Sequence, residues 1–484
     1  MANAFDLVRY PNIPYARTHP AALGVFAALF GRPFAPFAAC RVLEIGCSEG
    51  VNLLNMALGA PDSEFVGVDL AEQPIALARE AALAMDLANV RFHVQDIVEM
   101  GGELGRFDYI IAHGVYAWVP TRVREALMRV AGALLRPDGL ALLSYNALPG
   151  AAVRQVLRDL LLSATQQIDD PGEKLRVARA VLTYQIENGA QGEPLQQTMI
   201  AAAREMLERP PEVLFHDELT ECFAPQWFSD VVATARAAGL DYICDAHPNL
   251  SAEALFPAEK FAAARAFTDG DWARFEQLED FSVMRAFRHS IFCRSGPIDR
   301  RLEARRLSGL WASGELQVVE AKSEAADALA FRAGASANIT TNDPNLARFL
   351  ARVGAAFPSA LALDEAADNP DFAAQILRLF VANVLRLSTA PFPLTLTPGD
   401  RPRVSPLARL QAKRGEDTLA TLRHEAIKAE NAATRLFVAA LDGTRTRDDL
   451  AREFSVRTGV TPQAALTQVS GALEQMARLG LMVE

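Results

Sequence analysis

Between residues 41 and 146, short apolar runs alternate with stretches of helical periodicity. Val42–Gly46, Phe65–Asp69, Val90–Gln95, Tyr109–His113 and Leu140–Tyr145 have the length and branched, apolar content of buried strands. Between them, Gln73–Met85 and Arg122–Leu135 repeat apolar residues at three- and four-residue spacing, the stripe of an amphipathic helix. Strictly alternating strands and helices predict an α/β fold built on a parallel, doubly wound sheet. The pattern resumes further on. Gln226–Ala238 reads as an amphipathic helix closed by Gly239, Leu240–Ala246 as a sixth strand, and Phe287–Arg294 as a seventh. From about 151 to 212 the pattern is helical throughout, with helices over Gly172–Asn188 and Leu195–Leu207 and a stop at Pro210-Pro211.

The flanks read differently. Tyr10-Pro11-Asn12-Ile13-Pro14-Tyr15 is an extended, proline-stiffened segment. Thr18-His19-Pro20 opens a helix, with Thr18 or His19 at the cap, that carries Leu23, Phe26, Ala27 and Phe30 on one face and stops at Gly31. The two tyrosines and the histidine either fold over a ligand as a lid or pack against the sheet edge. Past Ser295-Gly296-Pro297, a charged helix over Arg300–Ser308, then Phe331–Gly334, Asn345–Val353 and Asp371–Leu387, suggest a small α+β or helix-turn-helix-like unit. Pro391, Pro393 and Pro398 mark a linker. Ala432–Leu441, the turn Asp442-Gly443-Thr444, Arg447–Phe454, Pro462–Leu479 and a short terminal strand suggest a winged-helix-like unit. The expected boundaries are 1–36 for the N-terminal segment and 37–150 with 213–298 for the sheet domain. The helical insertion covers 151–212, the middle domain 299–392 and the C-terminal domain 399–484.

Composition narrows the class. A chain of 484 residues with a net charge of −11 shows no basic excess, which disfavours nucleic acid as a partner and suits a lysine-rich one. The winged-helix-like end holds thirteen Lys or Arg against ten Asp or Glu, too balanced for a phosphate-binding face, so a protein-docking or scaffold role is expected there. Cys40, Cys47, Cys222, Cys244 and Cys293 lack metal or disulfide spacing and read as free thiols in a reducing compartment. No metal is expected. With no signal sequence and no apolar run of membrane-spanning length, a soluble cytoplasmic protein is expected.

The chemistry begins at Val42–Leu54, a strand, a glycine turn and a helix start. Backbone amides at such a turn receive an anion or a carboxylate. The spacing is Glu44-x-Gly46-x-x-x-Gly50, not the dinucleotide pattern, and Glu44 would repel a pyrophosphate but not a ligand with an amino group and a sulfonium. Cys47 and Ser48 line the turn, with Cys47 read as a packing residue rather than a nucleophile. Asp69, followed by Leu70, ends the second strand, where a carboxylate accepts both hydroxyls of a ribose. Asp96 ends the third, placed to accept an adenine amino group while Ile97 packs on the ring. Helix capping is the plainer role for either aspartate alone. Three acidic residues at the carboxyl ends of three successive strands define one ligand edge. The stretch resembles motif I of class I S-adenosylmethionine-dependent methyltransferases, which implies a Rossmann-like seven-stranded sheet. In such enzymes the loop after strand four, here His113-Gly114-Val115-Tyr116-Ala117-Trp118, faces the methyl group. Tyr116 and Trp118 are either an apolar wall for the acceptor or core, and Tyr145 and Asn146 lie across the same mouth.

Several stretches together resemble one family. They are Tyr10–Pro20, Glu44–Gly50 with Asn52-Leu53-Leu54, His113–Pro120, Ser144-Tyr145-Asn146, Phe215–Leu219 and Phe281 to Arg288. The pattern is similar to bacterial methyltransferases that carry a methyltransferase regulatory domain, among them rickettsial protein lysine methyltransferases acting on outer-membrane proteins. The resemblance implies S-adenosyl-L-methionine as cofactor, S-adenosyl-L-homocysteine as product, a protein substrate and a homodimer joined through the insertion. It also implies a lid of Tyr10, Tyr15 and His19 over the cofactor, with Asn52 and His113 among its contacts. Tyr15, His113, Tyr116 and Trp118 are the catalytic candidates, although a lysine acceptor deprotonated by desolvation needs no strong base. Ser48 departs from the glycine often found there. Methylation of a small molecule or RNA, or cofactor binding without turnover, are the alternatives.

Overall fold

The computed structural model describes residues 8–190, 192–220, 222–247, 258–300, 302–319, 329–334 and 337–483. Seven strands form one sheet: β1 (Arg41–Ile45), β2 (Glu64–Asp69), β3 (Val90–Val94), β4 (Phe107–Ala112), β5 (Leu135–Asn146), β6 (Leu240–Asp245) and β7 (Phe287–Arg294). Their order is β3-β2-β1-β4-β5-β7-β6. β1 to β5 pair in parallel, and β7 runs antiparallel to both β5 and β6. All six residues of β4 are buried, as a central strand covered on both faces requires. The order reverses between β1 and β4, and an open sheet of this kind binds ligands at the carboxyl ends beside such a switch point.

The insertion runs as helices Ala151–Thr165, Pro171–Asn188, Pro194–Glu208 and Pro211–Glu218. The last lies beyond the boundary expected at 212. It is tied back by ions: the fully buried Glu218 accepts from Arg154 and Arg209 (2.7 and 2.8 Å), and Arg158 donates to the Asp217 carbonyl. Two helices between β6 and β7 had no counterpart in the sequence reading, Ala258–Phe267 and Trp272–Ser282. The second is bolted to the sheet by Arg288, 1% exposed, which makes a two-pronged bond to Asp280 (2.8 and 2.8 Å) and reaches Glu276 (3.0 Å).

The middle region is α+β. β8 (Trp311–Ser313) lies in a sheet between β12 (Leu361–Ala362) and β13 (Arg386–Ser388). A second sheet joins β9 (Leu316–Val319), β10 (Leu329–Ala333) and β11 (Ala337–Thr341), with helices Pro344–Ala356 and Pro370–Val381 packed beside them. Two helices expected here are shorter. Over Arg300–Ser308 only a turn at Ala304–Leu307 forms, and Arg301 lies outside the described residues. Arg300 and Arg306 instead donate to the carbonyls of Ile243 and Leu29, contacts that hold the segment extended. The helix expected to reach Leu387 ends at Val381, because Asn383 turns left-handed (φ 55°) and the chain enters β13. In the C-terminal unit a helix, Pro406–Lys413, and a hairpin of β14 (Thr418–Ala420) and β15 (Ala426–Lys428) precede the three expected helices. The terminal strand is reduced to a bridge between Met482 and Val404.

One face of the sheet shares a core with the N-terminal helix and the middle region. Leu23 and Phe26 of the helix Pro20–Leu29, Leu54, Ile111, Ile376, Phe380 and Leu385 belong to one cluster. The opposite face buries Leu43, Tyr116, Leu127, Tyr145 and Phe228. The N-terminal segment is therefore not a lid over its whole length. Pro20–Leu29 is a core helix, and only the stretch from Val8 to His19 crosses the ligand edge. Residues 1–7 lie outside the described residues.

Candidate functional site

The turn after β1 is built from left-handed backbone. Gly46 (φ 75°) and Gly50 (φ 71°) flank Ser48 (φ 47°). A Cβ on Gly46 would sit 2.4 Å from Val115, and one on Gly50 2.4 Å from Phe92, so both positions demand glycine. Ser48 holds its backbone at some cost, of order 1 kcal/mol. Its amide donates to Asp69 Oδ2 (2.9 Å), which locks the turn to the end of β2. Asp69 Oδ1 accepts from Ala71 (2.9 Å), and Asp96 caps the next turn through Val98 (2.9 Å). Cys47 packs against Gly67, and burial drives its thiol well above the ordinary range, which fits a packing residue.

Glu44 and Asn52 form the centre. Glu44 Oε1 accepts from Asn52 Nδ2 (2.8 Å), while its Oε2 is buried with no partner. Burial, opposed by the Asn52 bond and reinforced by the Asp69 charge, pushes the carboxyl up to about 8. Asn52 Oδ1 accepts the backbone amide of Tyr15 (3.1 Å), and Asn52 Nδ2 also donates to Thr18 Oγ1 (3.0 Å). The extended N-terminal segment is thus pinned across the turn. Arg9 adds a two-pronged bond to Glu49 (2.5 and 2.6 Å).

Tyr15 brings a second group of residues together. Its ring lies 4.0 Å from that of His113, at the end of β4. Ser144 Oγ of β5 accepts the Gly114 amide (2.8 Å) and is hydrogen-bonded to His113 Nδ1 (2.8 Å). His113 stacks on His289 of β7 (5.6 Å, 14°), and Phe287 closes the group, 4.9 Å from His289. Burial lowers His113 to about 3, helped by the charges of His289 and Arg17, and lowers His289 to about 4 against the pull of Asp245. Both imidazoles are neutral at physiological pH. His289, Phe287 and Asp245 were not among the residues singled out from sequence. The available signal was a run of polar residues, Arg288-His289-Ser290, inside a strand, but its meaning depends on β7 running antiparallel, which brings its first residues to the carboxyl edge of the sheet.

Several expected contacts lie elsewhere. Tyr116, 2% exposed, turns into the core beside Tyr145 (5.9 Å), because the helical turn Tyr116–Trp118 directs it beneath the sheet. Tyr145 is equally buried and bonds Ser290 (3.0 Å). Trp118 packs on Phe223 (4.7 Å) under the guanidinium groups of Arg154 and Arg158 (5.1 and 5.3 Å), where it clamps the insertion. His19 accepts the Ala21 amide through Nδ1 (3.1 Å) and caps the helix Pro20–Leu29. Tyr10 leans on His216 and Asp217 of the insertion. Asn146 stays at the edge, with Oδ1 buried and unpartnered. Tyr116→Phe is accordingly expected to cost no more than about 1 kcal/mol, since it keeps the buried ring and removes only the hydroxyl. Calorimetry is expected to find its affinity for S-adenosylhomocysteine unchanged, since Tyr116 touches no ligand-facing group.

Three buried polar atoms without a partner among the described residues, Glu44 Oε2, Asn146 Oδ1 and His289 Nδ1, lie along one sheet edge. At that edge a bound ligand can complete their bonding. The donor set fits S-adenosylmethionine. Glu44 suits an ammonium and Asp69 a ribose, and Leu70 (61% exposed) with Ile97 offers an apolar slot for a base.

Strand order and acidic edge define the class I methyltransferase fold, whose cofactor is S-adenosylmethionine. Residues 36–191 match the family described as a methyltransferase domain, 210–294 the predicted methyltransferase regulatory domain, and 400–460 the PKMT C-terminal winged helix domain. Two uncharacterized proteins of Rickettsia prowazekii (strain Madrid E) are similar. RP789 is 32% identical over 292 residues, 60% of this chain and 52% of that protein. RP028 is 34% identical over 181 residues, 37% of this chain and 72% of that protein. The chain thus spans about half the length of RP789. The structure of PKMT2 from Rickettsia typhi in complex with AdoHcy superposes with a TM-score of 0.86 at 23% identity, covering 98% of this chain and 100% of that one. The chain belongs to the family of bacterial S-adenosylmethionine-dependent methyltransferases that carry the methyltransferase regulatory domain.

Proposed function

We propose that this protein transfers the methyl group of S-adenosylmethionine to lysine side chains of a protein substrate. The cofactor supplies an activated methyl on a sulfonium, and the chain supplies placement, worth on the order of 7–11 kcal/mol in well-oriented reactions. Glu44, oriented by Asn52, holds the amino-acid end, and Asp69 holds the ribose. The observation that carries the lysine reading is the cluster of Tyr15, His113, Phe287 and His289, whose rings would wall a pocket for the acceptor. Its rings are uncharged, since burial holds both imidazoles neutral and pushes the Tyr15 phenol up to about 12. Such a pocket favours the neutral amine over the ammonium, so a lysine sheds its proton on entry without a strong base. The faces of Tyr15 and Phe287 then tolerate the cationic product. The match of residues 400–460 to the PKMT winged helix domain, and the net charge of −11, support a protein substrate with exposed lysines.

The test is transfer of labelled methyl from S-adenosylmethionine to a whole-cell extract, followed by mass spectrometry. Label on protein lysines is the expected result. Label confined to RNA or small molecules would refute the substrate assignment, and binding without transfer would reduce the protein to a cofactor sensor.

A further inference from the structure

The turn joining β14 to β15 leaves its own domain. It carries Arg423 and His424 into the interior, where each is held by other parts of the chain. Arg423 Nη1 donates to the Pro358 carbonyl (2.8 Å), and its guanidinium covers the Phe357 ring (4.6 Å). Arg386 of β13 donates to the Arg423 carbonyl (2.9 Å) and to Glu425 (2.8 Å). His424 reaches furthest. Its backbone is left-handed (φ 60°) and it is 1% exposed. Its Nε2 lies 2.6 Å from Asn52 Oδ1, its Nδ1 lies 3.1 Å from Asn55 Nδ2, and its ring is 4.9 Å from that of His19.

These contacts fix the tautomer. An amide oxygen only accepts and an amide nitrogen only donates, so Nε2 carries the proton and Nδ1 is bare. Asn52 is then saturated. Its Oδ1 accepts from Tyr15 and His424, and its Nδ2 donates to Glu44 and Thr18. Asn52 Nδ2 faces Glu44 only in this orientation. With the amide turned over, its oxygen would oppose the Glu44 carboxyl.

We propose that His424 is a positioning residue for the cofactor. By donating to Asn52 Oδ1 it sets the amide that orients Glu44, which makes the C-terminal domain part of the cofactor site. The inference rests on S-adenosylmethionine occupying the turn after β1. It differs from a docking role for this domain, because it acts through a hydrogen bond to the sheet domain and not through an outer surface.

The test is calorimetric binding of S-adenosylhomocysteine by full-length variants, with urea denaturation as a control. In His424→Asn the new residue tolerates the left-handed backbone but is too short to reach Asn52. The dissociation constant is expected to rise about tenfold, with a folded protein whose urea midpoint is lowered by the lost buried bonds. His424→Gln, whose terminal amide reaches about as far as Nε2, is expected to restore most of the affinity. In an Asn52→Ala background, His424→Asn is expected to change the affinity no further, the signature of action through that amide. Wild-type affinity in His424→Asn, or the same tenfold loss with Asn52 removed, would overturn the inference. If His424→Asn does not fold, His424→Gln decides. Affinity within about twofold of wild type supports the inference, and a tenfold loss at unchanged urea midpoint overturns it. Failure of the wild-type protein to bind S-adenosylhomocysteine would instead remove the cofactor reading beneath it.

Discussion

Glu44→Gln is expected to make the free protein more stable at pH 7.5 and to abolish binding of S-adenosylhomocysteine. Burial, the largest influence on Glu44, pushes its carboxyl up to about 8, against an ordinary 4.5. Between those values the folded state keeps a proton that the unfolded chain has lost. Stability therefore falls as pH rises, by about 1.4 kcal/mol per unit. The contribution is complete below the unfolded value and is gone once pH has passed the folded one. Glutamine stays neutral, keeps an oxygen for Asn52 and does not share this slope. At pH 7.5 its advantage is on the order of 2–4 kcal/mol, and below pH 4.5 it vanishes. The same change removes the carboxylate opposite the ligand's ammonium. Urea midpoints at pH 4.5 and 7.5, with calorimetry, check both halves. An advantage that does not grow with pH, or retained binding, would refute the assignment. The wild-type carboxylate is a group held at a cost in the free protein because the ligand needs it.

Arg288→Met is expected to cost about 3–5 kcal/mol, since it removes the fully buried cation shared by Asp280 and Glu276, although Arg285 still pairs with Asp280 (2.7 Å). Arg288 also reaches Asp245 (3.9 Å), whose oxygens accept the amides of His247 and His289 (2.9 and 2.9 Å). Burial works against the charged form of Asp245, but Arg288 and those amides hold it below the ordinary carboxylate range. Loss of the guanidinium therefore loosens the start of β7, where His289 and Phe287 line the pocket. The penalty is expected to shrink at pH 5, because burial already holds the Asp280 carboxyl above its ordinary range and loss of Arg288 raises it further. A loss in urea midpoint that is the same at pH 5 and pH 8 would show that the guanidinium matters for packing alone.

The sheet was legible because each strand is a short apolar run and each intervening helix a clear stripe. The placement of Glu44, Asp69 and Asp96 along one sheet edge was legible because a strand end fixes where its last side chain sits. What escaped depended on direction and distance. Tyr116 and Tyr145 occupy loop and strand-end positions that suit a mouth equally well, and only the turn at Tyr116–Trp118 decides that the former faces the core. The role of His19 was split between cap and ligand until its Nδ1 met the Ala21 amide. His289 needed the antiparallel sense of β7, which no local pattern encodes. His424 lies 372 residues from Asn52, and nothing in the turn Thr421–Glu425 announces a partner that remote. The hairpin that carries it was concealed because its strands are three residues each, below the length at which alternation is visible.

The core shared by Leu23, Phe26, Ile376 and Phe380 sets a rule of inheritance for the chain. A fragment ending after β7 would bare the outer side of the helix Pro20–Leu29, so the sheet domain has no clean C-terminal cut. Exchange of the middle region between relatives has to carry the first helix with it, because the two were fitted to one another. The opening and the centre of the chain are thus bound to vary together, although the whole methyltransferase sheet is encoded between them.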